Sequence, residues 1–427
     1  SSNNELTSSL LNLFASMLSY ECREVEGAAK LLAEEMDLMN ALLVWCFAWS
    51  IGANIHDSSR EKFVDWCVER FSPIIAPKYK SLLTDNIYHT HVDLGKKEIR
   101  NWTSLMPDYR YNSSEPFFSI LVPTLDTTRY RYLLNKLMNA GHNVLFMAET
   151  GVGKSVVINS FLNEMVETGS TVSYVMGYSA QTKPANLRDV LESKLEKKRK
   201  NLLGPPSGKK MFLFIDDLNM PALETYGAQP PNELLRQVID QGGFYDVNKL
   251  FFKQVQDVVV CSACAPPGGG RNEVSPRLLR HFHMVWLTNL TVKSMTSIFS
   301  SICSGYMQTN LPSFAEVAEP LVVSSLDIYT RIQKELLPTP SKSHYTFNLR
   351  DLSKVFQGVL MVNPKFLKTR DDVILLWAHE SFRVFRDRLV SDEDRDWFND
   401  ALLTQLHTTL KAEEWKKEQF VDCIFGD

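Results

Sequence analysis

The residue types and spacing best suited to chemistry lie together in Ala148-Glu149-Thr150-Gly151-Val152-Gly153-Lys154-Ser155. They match the phosphate-loop pattern G-x-x-x-x-G-K-[ST] at every fixed position except the first, where Ala148 stands for glycine. In such a loop the glycines let backbone N–H groups close around phosphates, the lysine neutralises them, and the hydroxyl ligates a hard divalent cation. Glu149, Thr150, Gly151, Val152 and Gly153 are therefore expected to cradle phosphate, with Lys154 as the cation and Ser155 as the Mg²⁺ ligand. The inner glycines are retained, so a methyl group at the entry is expected to be tolerated. The bland alternative is a glycine turn joining a core strand to a core helix.

A phosphate loop needs an acidic partner, and Met211-Phe212-Leu213-Phe214-Ile215-Asp216-Asp217 supplies one at the end of an apolar run. This is a Walker B element. Asp216 is expected to hold Mg²⁺ through its water shell, sharing the ion with Ser155. Two linked carboxylates at a buried edge repel each other unless a cation sits there. Asp217 falls where many P-loop ATPases carry a glutamate that polarises the attacking water. Aspartate is one methylene shorter, roughly 1.5 Å of reach. A displacement of about 1 Å can cost ~10²-fold in rate, so slow hydrolysis is expected, with Asp217 the residue placed for water activation.

Elements able to hold these groups can be read around them. Short apolar runs at 144–147, 171–176, 211–215, 258–261 and 284–287 predict strands, and helical periodicity predicts helices at 155–166, 186–200 and 232–240. Strand, loop and helix thus follow in order at the phosphate loop, which turns a helix N-terminus and its free N–H groups toward the ligand. This alternation predicts an α/β domain at 123–310, a parallel sheet with helices on both faces. Residues 1–72 read as helical, with Trp45, Trp49 and Trp66 expected in the core. Residues 73–122 read as a loop-rich connector in which Trp102, Tyr109 and Tyr111 act as anchors. Residues 311–427 read as helical again, including 371–389 and 396–419.

Composition sets limits. The 427 residues are 44% hydrophobic with a formal net charge of -4, which supports real cores and argues for neither nucleic acid nor an anionic membrane as partner. The one basic run, Lys194-Leu195-Glu196-Lys197-Lys198-Arg199-Lys200, reads as the solvated end of a helix, where cations suit the dipole. Of the seven cysteines only Cys261 and Cys264 have a C-x-x-C spacing, and with no second pair or nearby histidines zinc is not expected. All seven read as reduced intracellular thiols. No apolar run is read as reaching the ~18 residues of a membrane span, the nearest being 41–51, so the chain reads as soluble. Its first residue, Ser1, and its last, Asp427, read as the ends of an excerpt from a larger polypeptide.

Longer motifs carry a family resemblance. Asp216-Asp217-Leu218-Asn219-Met220-Pro221, Tyr226-Gly227-Ala228-Gln229-Pro230-Pro231, Gly243-Phe244-Tyr245-Asp246 and Ala263-Cys264-Ala265-Pro266-Pro267-Gly268-Gly269-Gly270-Arg271-Asn272 together resemble the AAA+ ring of dynein heavy chains. The chain is most similar to the third AAA+ module of an axonemal, inner-arm heavy chain, preceded by the end of the second module. The resemblance implies a P-loop AAA+ domain with all-helical lid domains at both ends. It also implies that Ala265 occupies the first-sensor position, where an asparagine usually orients the attacking water, and that Arg277 and Arg280 form the arginine-finger region that reaches the neighbouring module. Arg350 matches the second sensor on the lid. Val122, Pro123 and Thr124 match the adenine pocket.

What this resemblance implies is a regulatory module that binds ATP or ADP with Mg²⁺ and hydrolyses it slowly or not at all, because Asp217 and Ala265 both weaken water activation. Its partners are expected to be neighbouring AAA+ modules of the same heavy chain. Microtubules and the intermediate and light chains are expected only through the full-length motor of the cilium or flagellum axoneme, in the cytoplasm and cytoskeleton. A competent stand-alone ATPase of the remodelling or helicase type and a purely structural ring segment are the competing readings.

Overall fold

The computed structural model describes residues 3–21, 35–113, 115–417 and 420. The chain divides into two compact units, one formed by residues 1–106 with 125–289 and the other by 107–124 with 290–427.

The first unit is built on a five-stranded, all-parallel sheet. Its strands are β3 (Asn143–Met147), β4 (Thr171–Gly177), β7 (Lys210–Asp216), β10 (Val258–Cys264) and β11 (Phe282–Trp286), arranged β11-β3-β10-β7-β4. Apolar runs such as Phe212-Leu213-Phe214-Ile215 are buried throughout, as strands covered on both faces must be. One apolar layer brings together Leu145, Leu213, Ile215, Leu187, Leu191, Leu235 and Phe244 from strands and helices. After β3 the chain crosses to the far edge at β4, works back through β7 and β10, and passes to the other side of β3 at β11. The crevice beyond the carboxyl end of β3 is thus a topological switch point, where open α/β sheets bind ligands.

The five expected strands are all present, each lengthened by one to three residues or shifted by up to two. The helix expected at 186–200 is present but shorter, spanning Pro184–Lys194. Beyond it Glu196–Arg199 forms β5, paired antiparallel with β6 (Leu202–Gly204). The basic run is therefore an edge strand, not a helix end. A second sheet joins this hairpin to β8 (Gly243–Tyr245) and β9 (Phe252–Val255) in the order β5-β6-β9-β8.

The helices before the sheet belong to the same unit. The helix Met36–Ser50 buries Trp45 and Trp49 completely, and Trp45 donates from its ring nitrogen to the Thr90 carbonyl at 2.9 Å. Thr90–Asp93 (β1) pairs antiparallel with Glu98–Asn101 (β2) within the segment read as loop. Trp102 is buried and donates to the Tyr88 carbonyl at 2.9 Å. Trp66 departs from expectation: it is 45% exposed, stacking on Phe47 and Phe63 at the rim. The segment Met36–Asn54 is long and apolar enough to cross a membrane, which corrects the sequence reading, and 67% of it is buried as a core element. Arg60 donates to the Trp286 carbonyl at 2.7 Å and His283 bonds the Trp49 carbonyl at 3.0 Å, tying these helices to β11.

The second unit is helical, with Val292–Asn310, Ala318–Glu335, Leu349–Met361, Arg370–Val384 and Asp392–Thr408 around one apolar core that includes Trp377, Phe356 and Phe398. The helices expected at 371–389 and 396–419 are shorter and shifted, ending at Val384 and Thr408. Tyr111 is held here edge-on to Tyr306, and a Cβ at Gly305 would collide with the Tyr111 ring.

Candidate phosphate-binding site

The site is assembled at the carboxyl ends of β3, β7 and β10. After Met147 the loop reaches Gly151 at φ 91° and Gly153 at φ 92°, conformations that cost L side chains energy. A Cβ at Gly153 would meet nothing within 4 Å, so it is the backbone angle, not crowding, that calls for glycine. Gly153 caps the helix Lys154–Glu167 with no side-chain bond, leaving first-turn N–H groups without a side-chain acceptor. Ala148 is fully buried, and its N–H donates to the Cys264 carbonyl at 3.3 Å, so the loop's entry is fixed to β10.

Lys154 folds back over its own loop, donating to the Ala148 carbonyl at 2.9 Å and the Glu149 carbonyl at 2.8 Å. Burial pulls its pKa down, partly opposed by Cys264, Asp216 and Asp217 and reinforced by the positive charge of Arg271. Ser155 donates from its hydroxyl to Asp216 at 2.6 Å, and the other Asp216 oxygen accepts from the Asp217 N–H at 3.1 Å. The two residues expected to share a cation are thus in direct contact. Among the described residues no cluster of three His, Cys, Asp or Glu side chains is placed to hold a metal on its own. One hydroxyl and one carboxylate fit Mg²⁺, which keeps several waters and takes phosphate oxygens besides one or two carboxylates.

Asp217 stands at φ 54°, in the left-handed region. Aspartate enters that region more readily than glutamate because its short side chain can bond locally. This gives a backbone reason for the aspartate that the sequence reading treated only as a shortened glutamate. The loop beyond it is pinned by buried amides: Asn219 donates to the Ala265 carbonyl at 2.7 Å, Gln229 to Pro221 at 2.8 Å and Asn232 to Leu218 at 3.0 Å. These amides were not picked out from sequence, although the Gln229-Pro230-Pro231-Asn232 run was the available signal. Ala265 lies at the end of β10 beside the site and contributes only its carbonyl to this network.

The other expected residues divide. Arg280 bonds Asp240 at 3.2 Å, whereas Arg277 is exposed and, among the described residues, has no ion-pair partner. In the second unit, Arg350 is exposed in the first turn of Leu349–Met361, and its N–H donates to the Asn348 side chain at 2.9 Å. Pro123 is half-buried between the buried Val122 and Thr124, also in the second unit. Cys261 and Cys264 are both buried, with thiols pushed up by burial, that of Cys264 to about 12.

Comparison with known proteins agrees with this architecture along the chain. Family models match a dynein heavy chain AAA lid domain at residues 1–104, a P-loop containing dynein motor region at 109–290, and an AAA+ lid domain at 321–416. Dynein axonemal heavy chain 6 of Homo sapiens is 43% identical over 402 residues, covering 93% of this chain and 10% of that protein. Dynein axonemal heavy chain 1 of Mus musculus is 38% identical over 459 residues, 100% of this chain and 11% of that one. Dynein axonemal heavy chain 12 of Rattus norvegicus is 36% identical over 380 residues, 84% of this chain and 12% of that one. The chain therefore spans about a tenth of the length of these relatives. It belongs to the dynein heavy chain family, and carries a P-loop AAA+ domain with a helical AAA lid domain on either side.

Proposed function

We propose that this chain is a regulatory nucleotide-binding module in the AAA+ ring of an axonemal dynein heavy chain, third in the ring and preceded by the lid of the second. It binds ATP or ADP with Mg²⁺ and turns it over slowly or not at all. The observation that carries this reading is the 2.6 Å bond from Ser155 to Asp216, in a loop with two left-handed glycines whose lysine bonds the Ala148 and Glu149 carbonyls. The contact of Ser155 with Asp216 and the closeness of the Lys154 amine to the loop carbonyls support phosphate and Mg²⁺ binding there. The two residues that should orient water are a short aspartate and an alanine. Bound Mg²⁺ supplies charge neutralisation at the phosphates.

Lys154 exchanges its two carbonyl acceptors for phosphate oxygens, a charge-assisted contact roughly twice as strong as a neutral one. Asp217, without a sensor asparagine at Ala265, holds water poorly, and the occupied state persists. Arg350 stands at the positive end of a helix dipole, where a cation costs about 0.3–1 kcal/mol, a placement that a nearby anion would repay. It is suited to register the terminal phosphate from the lid. Arg277, free of Asp240, is the better finger toward a neighbouring module, with Arg280 occupied by its ion pair. Microtubules, intermediate chains and light chains would be met only through the full-length minus-end-directed motor in the axoneme.

Two measurements test this reading. Mass analysis of nucleotide released on denaturing the purified chain reports what it retains. Thermal melting reports binding, since nucleotide at 100 times its dissociation constant adds about 2.7 kcal/mol to stability. A chain that releases no nucleotide, and whose melting does not move with millimolar MgATP or MgADP, is a scaffold and not a binding module.

A further inference from the structure

We propose that Arg271 is a second cation of this chain on the nucleotide's phosphates, acting in cis where Ala265 offers no polar side chain. The inference rests on the nucleotide reading above and adds a residue to it.

The backbone that carries Arg271 is built with unusual constraint. Gly268, Gly269 and Gly270 follow one another at φ 123°, 58° and 86°, a sequence of angles that side chains rarely adopt. The turn closes through reciprocal bonds, Gly268 N–H to the Arg271 carbonyl at 3.0 Å and Arg271 N–H to the Gly268 carbonyl at 3.1 Å. On one side Asn219 holds the Ala265 carbonyl at 2.7 Å. On the other the Asn272 N–H donates to the Asn219 carbonyl at 3.0 Å and its side chain donates to Pro221 at 2.8 Å. The loop bearing Arg271 is thereby locked to the loop that follows Asp217.

The guanidinium sits in an unusual setting. Its Nε is buried and has no hydrogen-bond partner, and among the described residues no carboxylate pairs with it. Its turn follows the end of β10, where the Cys264 carbonyl accepts from the Ala148 N–H at the entry of the phosphate loop at 3.3 Å, and its positive charge acts on the Cys264 thiol there. Asp216 already accepts from Ser155 and from the Asp217 N–H. A cation with a buried, unpaired donor loses solvation, and Lys154, bonded to the Ala148 carbonyl, brings a second positive charge to the same end of the sheet. An anion between them offsets both charges. A planar guanidinium fork beside a lysine suits a phosphate, which it can hold with two parallel N–H donors. The opposing reading makes Arg271 a packing side chain that only braces its turn, in which case its loss lowers stability and leaves nucleotide affinity alone.

The test is calorimetric titration of the 427-residue chain with MgATP and with MgADP, comparing the parent, Arg271→Gln and Lys154→Ala. One charge-assisted phosphate contact predicts about 10- to 100-fold weaker binding by Arg271→Gln, with Arg271→Lys restoring most of it. A parent that binds and an Arg271→Gln variant that binds within twofold of it overturns the role of Arg271 and leaves the nucleotide reading standing. A parent that binds neither nucleotide overturns both. Should Arg271→Gln fail to fold, arginine-specific labelling of the parent read by mass spectrometry decides. MgATP is expected to protect Arg271 and leave exposed Arg277 reactive, and equal labelling of Arg271 with and without MgATP overturns the proposal.

Discussion

Lengthening Asp217 to glutamate sets two consequences of the structure against each other. The extra methylene extends the carboxylate by roughly 1.5 Å, toward the position from which a glutamate would polarise water. If misplacement of about 1 Å costs ~10²-fold, restoring that reach should raise single-turnover hydrolysis at least ~10-fold, with Ala265 still limiting the full gain. The same substitution puts a longer side chain at φ 54°, where aspartate is favoured and other L residues pay about 1–2 kcal/mol. For a unit of this size that corresponds to a fall of about 2–8 °C in melting temperature. Single-turnover hydrolysis at saturating MgATP and thermal melting without nucleotide read the two effects separately. A variant that binds nucleotide and hydrolyses it no faster would show that reach does not limit turnover. Unchanged melting would refute the claim that the backbone at 217 selects aspartate.

Four further outcomes follow from other parts of the molecule. His91 and His283 are held down to about 4 by burial, and the Nδ1 of each is buried without a partner, so neither ring can take a second proton cheaply. Because the folded pKa values lie below the unfolded value near 6.5, their contribution is complete above about pH 6.5. It is lost as pH falls toward 4, at up to ~3 kcal/mol each. His283→Gln, which keeps an N–H for the Trp49 carbonyl but cannot charge, should flatten that part of the melting-versus-pH curve, and an unaltered slope would count against it. A Cβ at Gly243 would collide with the Lys253 carbonyl across the β8–β9 ladder, so Gly243→Ala should cost about 1–3 kcal/mol by denaturant titration. Arg277→Ala should leave the stability of this chain within ~0.5 kcal/mol while slowing hydrolysis at the adjoining site of a full-length heavy chain, and Arg280→Ala should cost at most ~1 kcal/mol through its Asp240 pair.

The contrast between what could and could not be read from sequence has a physical origin. The strands inside the sheet are runs such as Val144-Leu145-Phe146-Met147 and Phe212-Leu213-Phe214-Ile215, covered on both faces, and their apolar character alone identifies them. The candidate phosphate loop was legible for a related reason, because the left-handed angles at 151 and 153 favour glycine, which the sequence carries there. The second sheet was hidden because its strands are three or four residues long, and Glu196–Arg199 is charged in the manner of an edge. Its pairing with Leu202–Gly204, and that strand's pairing with Phe252–Val255, depend on partners up to some fifty residues away, which periodicity does not report. Trp66 was misjudged for a simpler reason: aromatic rings at helical spacing predict contact with other rings, and Phe47, Phe63 and Phe71 supply it at the rim as well as a core would. Asp217 was read only as a shortened glutamate, and its left-handed backbone had no signature in the sequence. The separation of Arg277 from Arg280 likewise required the position of Asp240.

The central claim is that this loop holds a nucleotide and does not consume it quickly. It is tested most directly by measuring MgATP binding and single-turnover hydrolysis on one preparation, with Lys154→Ala alongside. The account predicts one nucleotide bound per chain, no binding by Lys154→Ala, and hydrolysis below about 1 s⁻¹. Hydrolysis on the order of 1–10 s⁻¹ by the parent chain, or binding that survives Lys154→Ala unchanged, would contradict it.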